Sequence, residues 1–375
     1  MTRLLFTPGF PPWIGGMPNY MYARCLAAPR DVEVIAASCP GDATFDATLP
    51  FPVHRFDLYA PARAGVLNPV RRLVQVARAW TVLNRFLRTG RFDVLECVTV
   101  FPGAVAASLL PAGRRVRLIA YALGDDVRRP LTTPWAAPLF RRTLGRVDRL
   151  VAISEYTRGL LVAAGVPAER IALVRPPLDR ERFARSGDGS AWRAGWPAHS
   201  HIVLTLCQLW PNKGVDRVLE AVAALLPEAP DMLYVVAGGG PDRERLESLA
   251  GRLGVRERVV FTGRVRAEAL PDLYAAADVF VMPTRADHDG SVEGFGIVFL
   301  EAGSQGVAVI GPREGGCADA IRDGISGFLV DPDDPADIAA RLRTLLADPQ
   351  LRRRMGEAGR ARAFEPTDWS PVTAL

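Results

Sequence analysis

Short apolar runs alternate with longer amphipathic stretches along the whole chain, which is the pattern of β-α units built around parallel sheets. In the first half, the runs predict strands at Arg3–Phe6, Val32–Ala36, Val94–Cys97, Arg117–Tyr121, Arg149–Ile153 and Ile171–Val174. The alternation then starts afresh and predicts strands at Ile202–Leu206, Leu233–Ala237, Val259–Phe261, Val279–Met282, Val307–Ile310 and Phe328–Val330. The pattern therefore predicts an α/β protein with two doubly wound domains.

The domain boundaries follow from length and local composition. The chain has 375 residues, which is more than one ordinary core needs and suits two domains. We predict a first domain over 1–185, a linker rich in glycine and serine over 186–197, and a second domain over 198–355. Residues 356–375 are predicted to form a tail, with a return to the first domain as one alternative. Doubly wound sheets bind ligands at the carboxyl ends of their strands, so we expect the active site in a cleft between the domains.

One predicted helix, Val70–Arg88, is both amphipathic and basic. Its apolar residues at helical spacing are Leu73, Val76, Ala77, Trp80, Leu83 and Leu87, and its arginines are Arg71, Arg72, Arg78, Arg85 and Arg88. A helix of this kind usually packs on the sheet, and we favour this interpretation. Binding to an anionic membrane surface is the alternative.

The charge is divided unevenly along the chain. The 46 basic residues are 45 arginines and a single lysine, Lys213, and with 41 acidic residues they give a net charge of +5. Residues 1–190 carry 26 arginines and 15 acids (net +11), whereas residues 191–375 carry 20 basic and 26 acidic residues (net −6). This asymmetry indicates either an anionic partner for the first half, such as a membrane surface, or an arginine-rich composition alone. The arginines are dispersed and form no nucleic-acid-binding module, so we predict no nucleic-acid partner.

Cysteine, hydropathy and acidic patterns exclude several other classes. The five cysteines are scattered without C-x-x-C spacing, which favours a reducing compartment over a disulfide or zinc framework. The chain shows neither a signal-peptide core nor a run of roughly 18 apolar residues, so a cytoplasmic protein is predicted, with peripheral attachment to the inner membrane face as an alternative. Asp331-Pro-Asp333 matches a D-x-D metal pattern, but Asp334 and Pro335 suit a helix N-cap and first turn. We therefore predict neither a metal nor another cofactor.

The strongest chemical signal is the segment Glu293-Gly-Phe-Gly-Ile-Val-Phe-Leu-Glu301, which follows the predicted strand Val279–Met282 and a polar loop. Its glycines let the backbone approach a ligand closely, and the helix predicted after them offers free amides to a diphosphate. The two carboxylates are spaced to hold hydroxyl groups at opposite ends of one extended ligand.

This E-x(7)-E segment resembles the signature of the retaining GT-B glycosyltransferases of family four. Other segments resemble the same family in the same order, namely Phe10–Gly16, Val151–Pro167, Lys213–Gly214, Phe261–Val265 and Leu273–Phe280. The resemblance covers roughly residues 1–355, and agreement at several separated motifs makes chance a poor explanation. It implies a GT-B fold, in which two Rossmann-like domains face each other across a cleft.

The resemblance also implies a role for individual residues. Glu293 would contact the transferred sugar, Glu301 the ribose, and Lys213 the leaving diphosphate, while Asp125 would act as a further catalytic residue in the first domain. Further donor contacts are implied for Gly15, Gly16, Gln208, Gly294, Phe295, Gly296, Ile297 and Val298, and backbone contacts to the base for Arg264 and Val265. For Val265, a place in the core is an equally good interpretation.

Two positions depart from the family pattern. Leu123, within Ala122–Asp126, occupies the place of a histidine that usually lies near the reacting sugar. Gln208 occupies the place of an arginine five residues before the lysine, and loss of that charge would cost about 2–4 kcal/mol of transition-state stabilisation. Three interpretations are open: another arginine supplies the missing charge, the enzyme turns over slowly, or the chain is a catalytically impaired member of the family.

The resemblance implies a retaining, metal-independent hexosyltransferase that uses a nucleotide sugar and a glycan or lipid-linked acceptor. Met282–Arg285 and Val292–Glu301 are similar to mannosyltransferases that build bacterial phosphoinositol mannosides, which favours GDP-mannose as the donor. A UDP-sugar enzyme acting on a small acceptor and an impaired nucleotide-sugar or glycan-binding member are the alternatives. A nicotinamide oxidoreductase is disfavoured because Gly238–Arg243 lacks the last glycine of G-x-G-x-x-G.

Overall fold

The computed structural model describes residues 1–13, 15–58, 69–111, 116–134, 136–197, 201–287, 290 and 292–373. The chain forms two compact units. The first comprises Met1–Pro176 together with Thr367–Leu375, and the second comprises Pro177–Pro366. Each unit contains one parallel sheet with helices between successive strands.

The first unit is built on a seven-stranded sheet with the order β3-β2-β1-β4-β5-β6-β7. Its strands are β1 (Arg3–Thr7), β2 (Val32–Ala37), β3 (Val53–Phe56), β4 (Val94–Cys97), β5 (Arg117–Ala122), β6 (Arg149–Ala152) and β7 (Ile171–Leu173). Its helices are α1 (Gly16–Leu26), α2 (Asp42–Asp46), α3 (Pro69–Leu87), α4 (Val105–Ser108), α5 (Asp125–Thr132), α6 (Ala137–Arg146) and α7 (Glu155–Ala163). The chain reverses its direction of sheet growth between β1 and β4, which places a crevice at their carboxyl ends.

The second unit repeats this plan on a six-stranded sheet with the order β10-β9-β8-β11-β12-β13. Its strands are β8 (His201–Leu206), β9 (Met232–Ala237), β10 (Val259–Gly263), β11 (Val279–Val281), β12 (Ala308–Pro312) and β13 (Gly327–Val330). Its helices are α8 (Arg180–Phe183), α9 (Ser190–Arg193), α10 (Val215–Leu225), α11 (Arg243–Arg252), α12 (Leu270–Ala275), α13 (Ile297–Ser304), α14 (Pro335–Ala347) and α15 (Pro349–Ala363). Here the reversal lies between β8 and β11.

All twelve predicted strands are present, with ends that differ by at most two residues. The sequence interpretation missed β3, the edge strand that pairs with β2 through Val53 and Val34. Every residue of β3 is only partly buried, and its sequence includes His54 and Arg55, so it lacks the apolar run that marks the central strands. The predicted helix cap is confirmed, because Asp334 caps α14 by accepting a hydrogen bond from the Ala336 amide at 2.9 Å.

The predicted linker at 186–197 is wrong, because these residues belong to the second unit, which begins at Pro177. Gly187 and Gly189 pack so closely on the backbone of Pro271 and Ala276 that a Cβ atom at either glycine would collide with it. Phe183 on α8 also packs near Tyr274, with ring centroids 6.2 Å apart. The glycines that made the segment look like a linker therefore serve close backbone packing.

The predicted tail at 356–375 is divided between the two units. Helix α15 runs to Ala363 inside the second unit, where Gly359 lies against Gly303 of α13. The chain rejoins the first unit from Thr367, and a last short helix, α16 (Ser370–Thr373), lies there. Trp369 stacks on Tyr20 at a centroid distance of 5.4 Å, which anchors the end of the chain to the first unit.

The basic helix α3 packs on the sheet of the first unit, as favoured from its sequence. Leu83 and Leu87 are buried in the core, and Val76 and Trp80 pack against it. Leu73 departs from the predicted apolar face, because 69% of its surface is exposed. Among the described residues, no helix is long and apolar enough to cross a membrane.

Candidate active site

In the second unit, the residues expected to bind the donor lie around the reversal point of the sheet. Lys213 ends a short helical turn that follows β8, and Glu293 lies in the loop that follows β11. Because β8 and β11 are hydrogen-bonded neighbours, their carboxyl ends bring these two distant segments together. Of the loop before Glu293, residues 288, 289 and 291 lie outside the described part of the chain.

Lys213 and Glu293 form a direct ion pair, with 2.8 Å between Nζ and Oε2. The side chains are only 22% and 25% exposed. Burial alone would lower the pKa of Lys213, but the Glu293 carboxylate outweighs it and holds that pKa above its usual value. Burial would likewise raise the pKa of Glu293, yet Lys213 and the amides of Gly296 and Phe295 hold it below its usual value. Both groups therefore remain charged at neutral pH.

The Lys213 loop is held in place by contacts with the segment that follows β11. Gly214 adopts φ +74°, and a Cβ atom there would collide with the carbonyl oxygen of Pro283. The Arg285 amide donates to the Asn212 carbonyl at 2.8 Å, and the Arg285 guanidinium makes two hydrogen bonds of 2.9 Å with Asp216. This bidentate pair fixes the start of α10 against the loop.

We expect Gly214→Ala to lower the free energy of unfolding by about 1–3 kcal/mol, because it combines a left-handed backbone with a collision. Gly254→Ala is the matched control, since Gly254 adopts φ +72° with nothing within 4 Å of a new Cβ atom. Urea unfolding of both variants measures the difference. Equal losses at the two positions would contradict the role of the Pro283 contact.

Helix α13 presents its amino terminus beside this ion pair. Gly296 precedes the helix with φ +78°, where an added Cβ atom would collide with the Phe299 ring. Ile297 and Val298 form the first turn, so their amides lack carbonyl partners within the helix. Phe295 and Phe299 are 3% and 2% exposed and anchor the turn in the core. The apolar side chains of the motif fix the position of the helix by packing in the core. The backbone amides of its first turn are therefore available to bind an anion.

Glu301 lies one turn into α13 and accepts a hydrogen bond from the buried Tyr274 hydroxyl at 2.8 Å. Burial raises the pKa of Glu301, although the Tyr274 hydroxyl and the nearby charge of Arg182 act in the opposite direction. The sequence interpretation did not single out Tyr274, which comes from α12. The carboxylate is thus oriented by a neighbour from a separate helix.

Three further residues expected to bind the donor lie at the ends of β8 and β10. Gln208 is exposed, and its Oε1 accepts a hydrogen bond from the Trp210 indole at 3.2 Å. Arg264 is exposed and lies along Gly239, where a Cβ atom would come within 3.2 Å of its Cγ. Val265 is partly exposed. Among the described residues, no arginine pairs with Glu293 in place of the one that Gln208 replaces.

The remaining candidates belong to the first unit. Gly15 precedes α1, which begins at Gly16. Asp125 is the first residue of α5 and is partly buried. The next residue, Asp126, accepts hydrogen bonds from the amides of Leu123 at 2.8 Å and Val100 at 3.2 Å. Through these two hydrogen bonds, Asp126 fixes the loop in which Leu123 lies. Burial raises the pKa of Asp126 to about 6, against the lowering effect of the same amides.

Comparison with known proteins identifies the family. The model for glycosyl transferases group 1 matches residues 190–362, and the model for glycosyltransferase family 4 matches residues 14–182. A GDP-mannose-dependent alpha-(1-6)-phosphatidylinositol monomannoside mannosyltransferase from Mycolicibacterium smegmatis is 34% identical over 98% of this chain and 94% of its own. The chain belongs to glycosyltransferase family 4. It is therefore a glycosyltransferase by descent, as the resemblance predicted.

A further relative agrees with this assignment, and solved structures show the same fold. A GDP-mannose-dependent monoacylated alpha-(1-6)-phosphatidylinositol monomannoside mannosyltransferase from Corynebacterium glutamicum is 30% identical over 98% of this chain and 94% of its own. Anabaena HepE, solved in complex with UDP, superposes with a TM-score of 0.81 at 19% identity over the whole of both chains. WaaG, a glycosyltransferase of lipopolysaccharide biosynthesis, gives a TM-score of 0.72 at 20% identity over 99% of this chain and 98% of its own. The predicted GT-B fold class is confirmed.

Proposed function

We propose that this chain transfers a mannosyl group from GDP-mannose, with retention of configuration, to a lipid-linked acceptor that contains phosphoinositol. The ion pair between Lys213 and Glu293 carries the proposal, because it places a charged ammonium next to a helix amino terminus at the reversal point of a doubly wound sheet. The GDP-mannose-dependent relatives, which align along nearly the whole chain, support this donor and this class of acceptor.

The diphosphate of the donor would bind between Lys213 and the start of α13. The ammonium neutralises charge as the diphosphate leaves, and the amides of Ile297 and Val298 donate hydrogen bonds to its oxygens. Glu293 holds the ammonium in position through the 2.8 Å contact and contacts the transferred sugar. Glu301, oriented by Tyr274, accepts hydrogen bonds from the ribose hydroxyls.

The chemical step breaks the bond between the anomeric carbon and the diphosphate oxygen and forms a bond from that carbon to the acceptor oxygen. The acceptor hydroxyl gives its proton to the departing diphosphate and attacks the same face of the sugar, so configuration is retained. Gly15 and Gly16 would contact the phosphates by close backbone approach, and Asp125 would contact the reacting groups from the first unit. Because Lys213 and the helix amides stabilise the departing charge, the step needs no metal ion.

A panel of GDP- and UDP-sugars tests the donor directly. Release of the nucleoside diphosphate is measured with membrane extract as the source of acceptor. We expect GDP-mannose to be consumed in preference to UDP-glucose and UDP-galactose. Preferential consumption of a UDP-sugar would support the alternative of a UDP-dependent enzyme and would overturn the assignment of the donor.

Gln208→Arg tests the charge that the family pattern places beside the lysine. Since no arginine among the described residues pairs with Glu293 in its place, we expect the added guanidinium to raise kcat by about 10-fold or more, equivalent to at least about 1.4 kcal/mol. Gln208→Met is the control of similar size without charge. An unchanged or lowered rate in Gln208→Arg would mean that the missing charge is supplied elsewhere.

Helix α3 favours attachment to an anionic membrane through its exposed surface. Leu73 and Val74 are 69% and 46% exposed, Arg78 and Arg85 are also exposed on this helix, and the exposed Arg88 directly follows it. Apolar and basic side chains together suit the boundary between headgroups and acyl chains. Cosedimentation with vesicles that contain anionic lipid, but not with neutral vesicles, is the expected result. Equal behaviour with both kinds of vesicle would remove this part of the proposal.

A catalytically impaired member that only binds nucleotide sugar or glycan is the second candidate. Leu123 and Gln208 favour it, because each replaces a polar group that the family places near the reaction. Tight binding of GDP-mannose without release of GDP in the presence of any acceptor would establish this candidate. Measurable transfer would exclude it.

A further inference from the structure

Trp210 lies in the loop between β8 and Lys213, with 39% of its surface exposed. Its indole N–H donates to the Gln208 Oε1 atom at 3.2 Å. An indole nitrogen can only donate a hydrogen bond, whereas a carboxamide has an oxygen that accepts and a nitrogen that carries two donors. The contact therefore holds the oxygen of Gln208 toward the indole and leaves its Nε2 amino group for another partner.

That amino group has no hydrogen-bond partner in the part of the chain that the structure describes. The side chain of Gln208 is exposed, so its two N–H groups are accessible to a ligand. Because both groups are donors, they select a ligand that presents acceptors, and the oxygens of a phosphate are strong acceptors.

The loop that carries this amide is held firmly in place at its centre. Leu209 is fully buried, its amide donates to the Gly239 carbonyl, and its carbonyl accepts from the Asp242 amide, each at 3.1 Å. Gln208 and Trp210 flank Leu209, so their backbones start from fixed positions. The hydrogen bond between their side chains then fixes the plane of the carboxamide.

The same loop leads to the lysine of the candidate site. The Trp210 amide donates to the Gln208 carbonyl at 2.8 Å, and the Lys213 amide donates to the Trp210 carbonyl at 3.0 Å. These hydrogen bonds fold the three residues into one compact segment. Since Lys213 contacts Glu293 beside the start of α13, the free N–H groups of Gln208 belong to the segment that presents the ammonium to the diphosphate.

We propose that Trp210 is a positioning residue, which orients the Gln208 carboxamide so that Nε2 donates a hydrogen bond to the diphosphate of the nucleotide sugar. The inference rests on the proposed function, because it adds a group to the same donor site. A neutral amide in a fixed orientation then occupies the place of the arginine in the family pattern. It supplies a hydrogen bond to a charged oxygen without the second charge that a guanidinium would bring.

A double-mutant cycle tests the proposal, with the dissociation constant of GDP measured by calorimetry. We expect Gln208→Met to weaken GDP binding about 10-fold or more, because a hydrogen bond to a charged group is lost. Trp210→Phe keeps an aromatic ring without the indole N–H and should weaken binding about 3-fold or more, because the amide is no longer held. In the Gln208→Met background, Trp210→Phe should have no further effect.

Two further variants make the test specific. Gln208→Glu presents an oxygen where the amino group was, so it should weaken GDP binding more than Gln208→Met does. Trp192→Phe is the matched control, since Trp192 lies on α9 of the same unit, and it should leave GDP affinity unchanged. Unchanged affinity in Trp210→Phe, or an equal loss with and without Gln208, would show that the indole does not act through the amide and would overturn the inference.

Binding of GDP also separates this inference from the proposed function. If no nucleotide sugar is consumed, the proposed function fails, yet the coupling between Trp210 and Gln208 in GDP binding should still appear. If GDP-mannose is consumed but the effects of the two substitutions simply add, the function stands and the inference fails. Failure of GDP to bind the wild-type protein would refute both.

Discussion

Replacing Lys213 with alanine is expected to lower kcat for sugar transfer by about 10²–10³-fold, the loss typical of removing one preorganised group that stabilises departing charge. Lys213 is the single lysine of the chain, and its Nζ lies 2.8 Å from the Glu293 carboxylate. Without the ammonium, Glu293 would remain as a partly buried anion beside the diphosphate and would repel it. The variant therefore loses an attraction and gains a repulsion.

Initial rates of nucleoside diphosphate release at saturating donor measure this effect. Arg252→Ala is the control, because it removes one positive charge from an exposed position of the second unit, and its rate should match that of the wild-type protein. Lys213→Arg should recover only part of the rate, since its planar fork cannot reproduce the compact ammonium. A near-normal rate in Lys213→Ala would remove Lys213 from the site.

Glu96→Ala is expected to lower the free energy of unfolding of the first unit by about 3–5 kcal/mol, because it leaves buried cations without their anion. Glu96 is 1% exposed on β4 and accepts hydrogen bonds from Arg3 at 2.9 Å, Arg24 at 2.6 Å and the Tyr121 hydroxyl at 2.6 Å. The same arginines hold the end of the chain. Arg3 donates to the carbonyl of Val372 at 3.2 Å, and the guanidinium carbon of Arg24 lies 5.8 Å from the centre of the Trp369 ring.

Urea unfolding followed by tryptophan fluorescence measures this loss. Glu155→Ala is the control, since Glu155 is 54% exposed and its pair with Arg158 should contribute at most about 1 kcal/mol. Limited proteolysis should release the end of the chain more readily in Glu96→Ala than in the control. A loss below about 1 kcal/mol in Glu96→Ala would show that the buried arginines find other partners.

The sequence alone was sufficient to predict elements of the fold whose pattern is local and repeated along the chain. Central strands such as Val279–Val281 are fully buried apolar runs, so their hydrophobicity alone located them. The edge strand Val53–Phe56 was not predicted, because its partial burial permits polar residues such as His54 and so removes the apolar run. The glycines at 187 and 189 led to an incorrect prediction of the domain boundary. Composition does not distinguish a flexible glycine from one that another backbone approaches closely.

The candidate site could be predicted in part. The resemblance named Lys213 and Glu293, and the structure brings these residues into contact although they lie 80 positions apart in the chain. The supporting contacts, such as Tyr274 with Glu301 and Arg285 with Asp216, could not be predicted, because they join separate elements whose neighbours are set by the fold. For the same reason, the cluster around Glu96 has no local signal in the sequence.

The most direct test of the proposed reaction is NMR of the wild-type protein with GDP-mannose and a deacylated mannosyl inositol phosphodiester. Phosphorus spectra follow the formation of GDP, and proton spectra report the configuration at the anomeric carbon of the product. We expect GDP and product to appear in equal amounts, with the new linkage in the α configuration of the donor. Formation of a β-linked product, or binding of GDP-mannose without any release of GDP, would contradict a retaining mannosyltransferase.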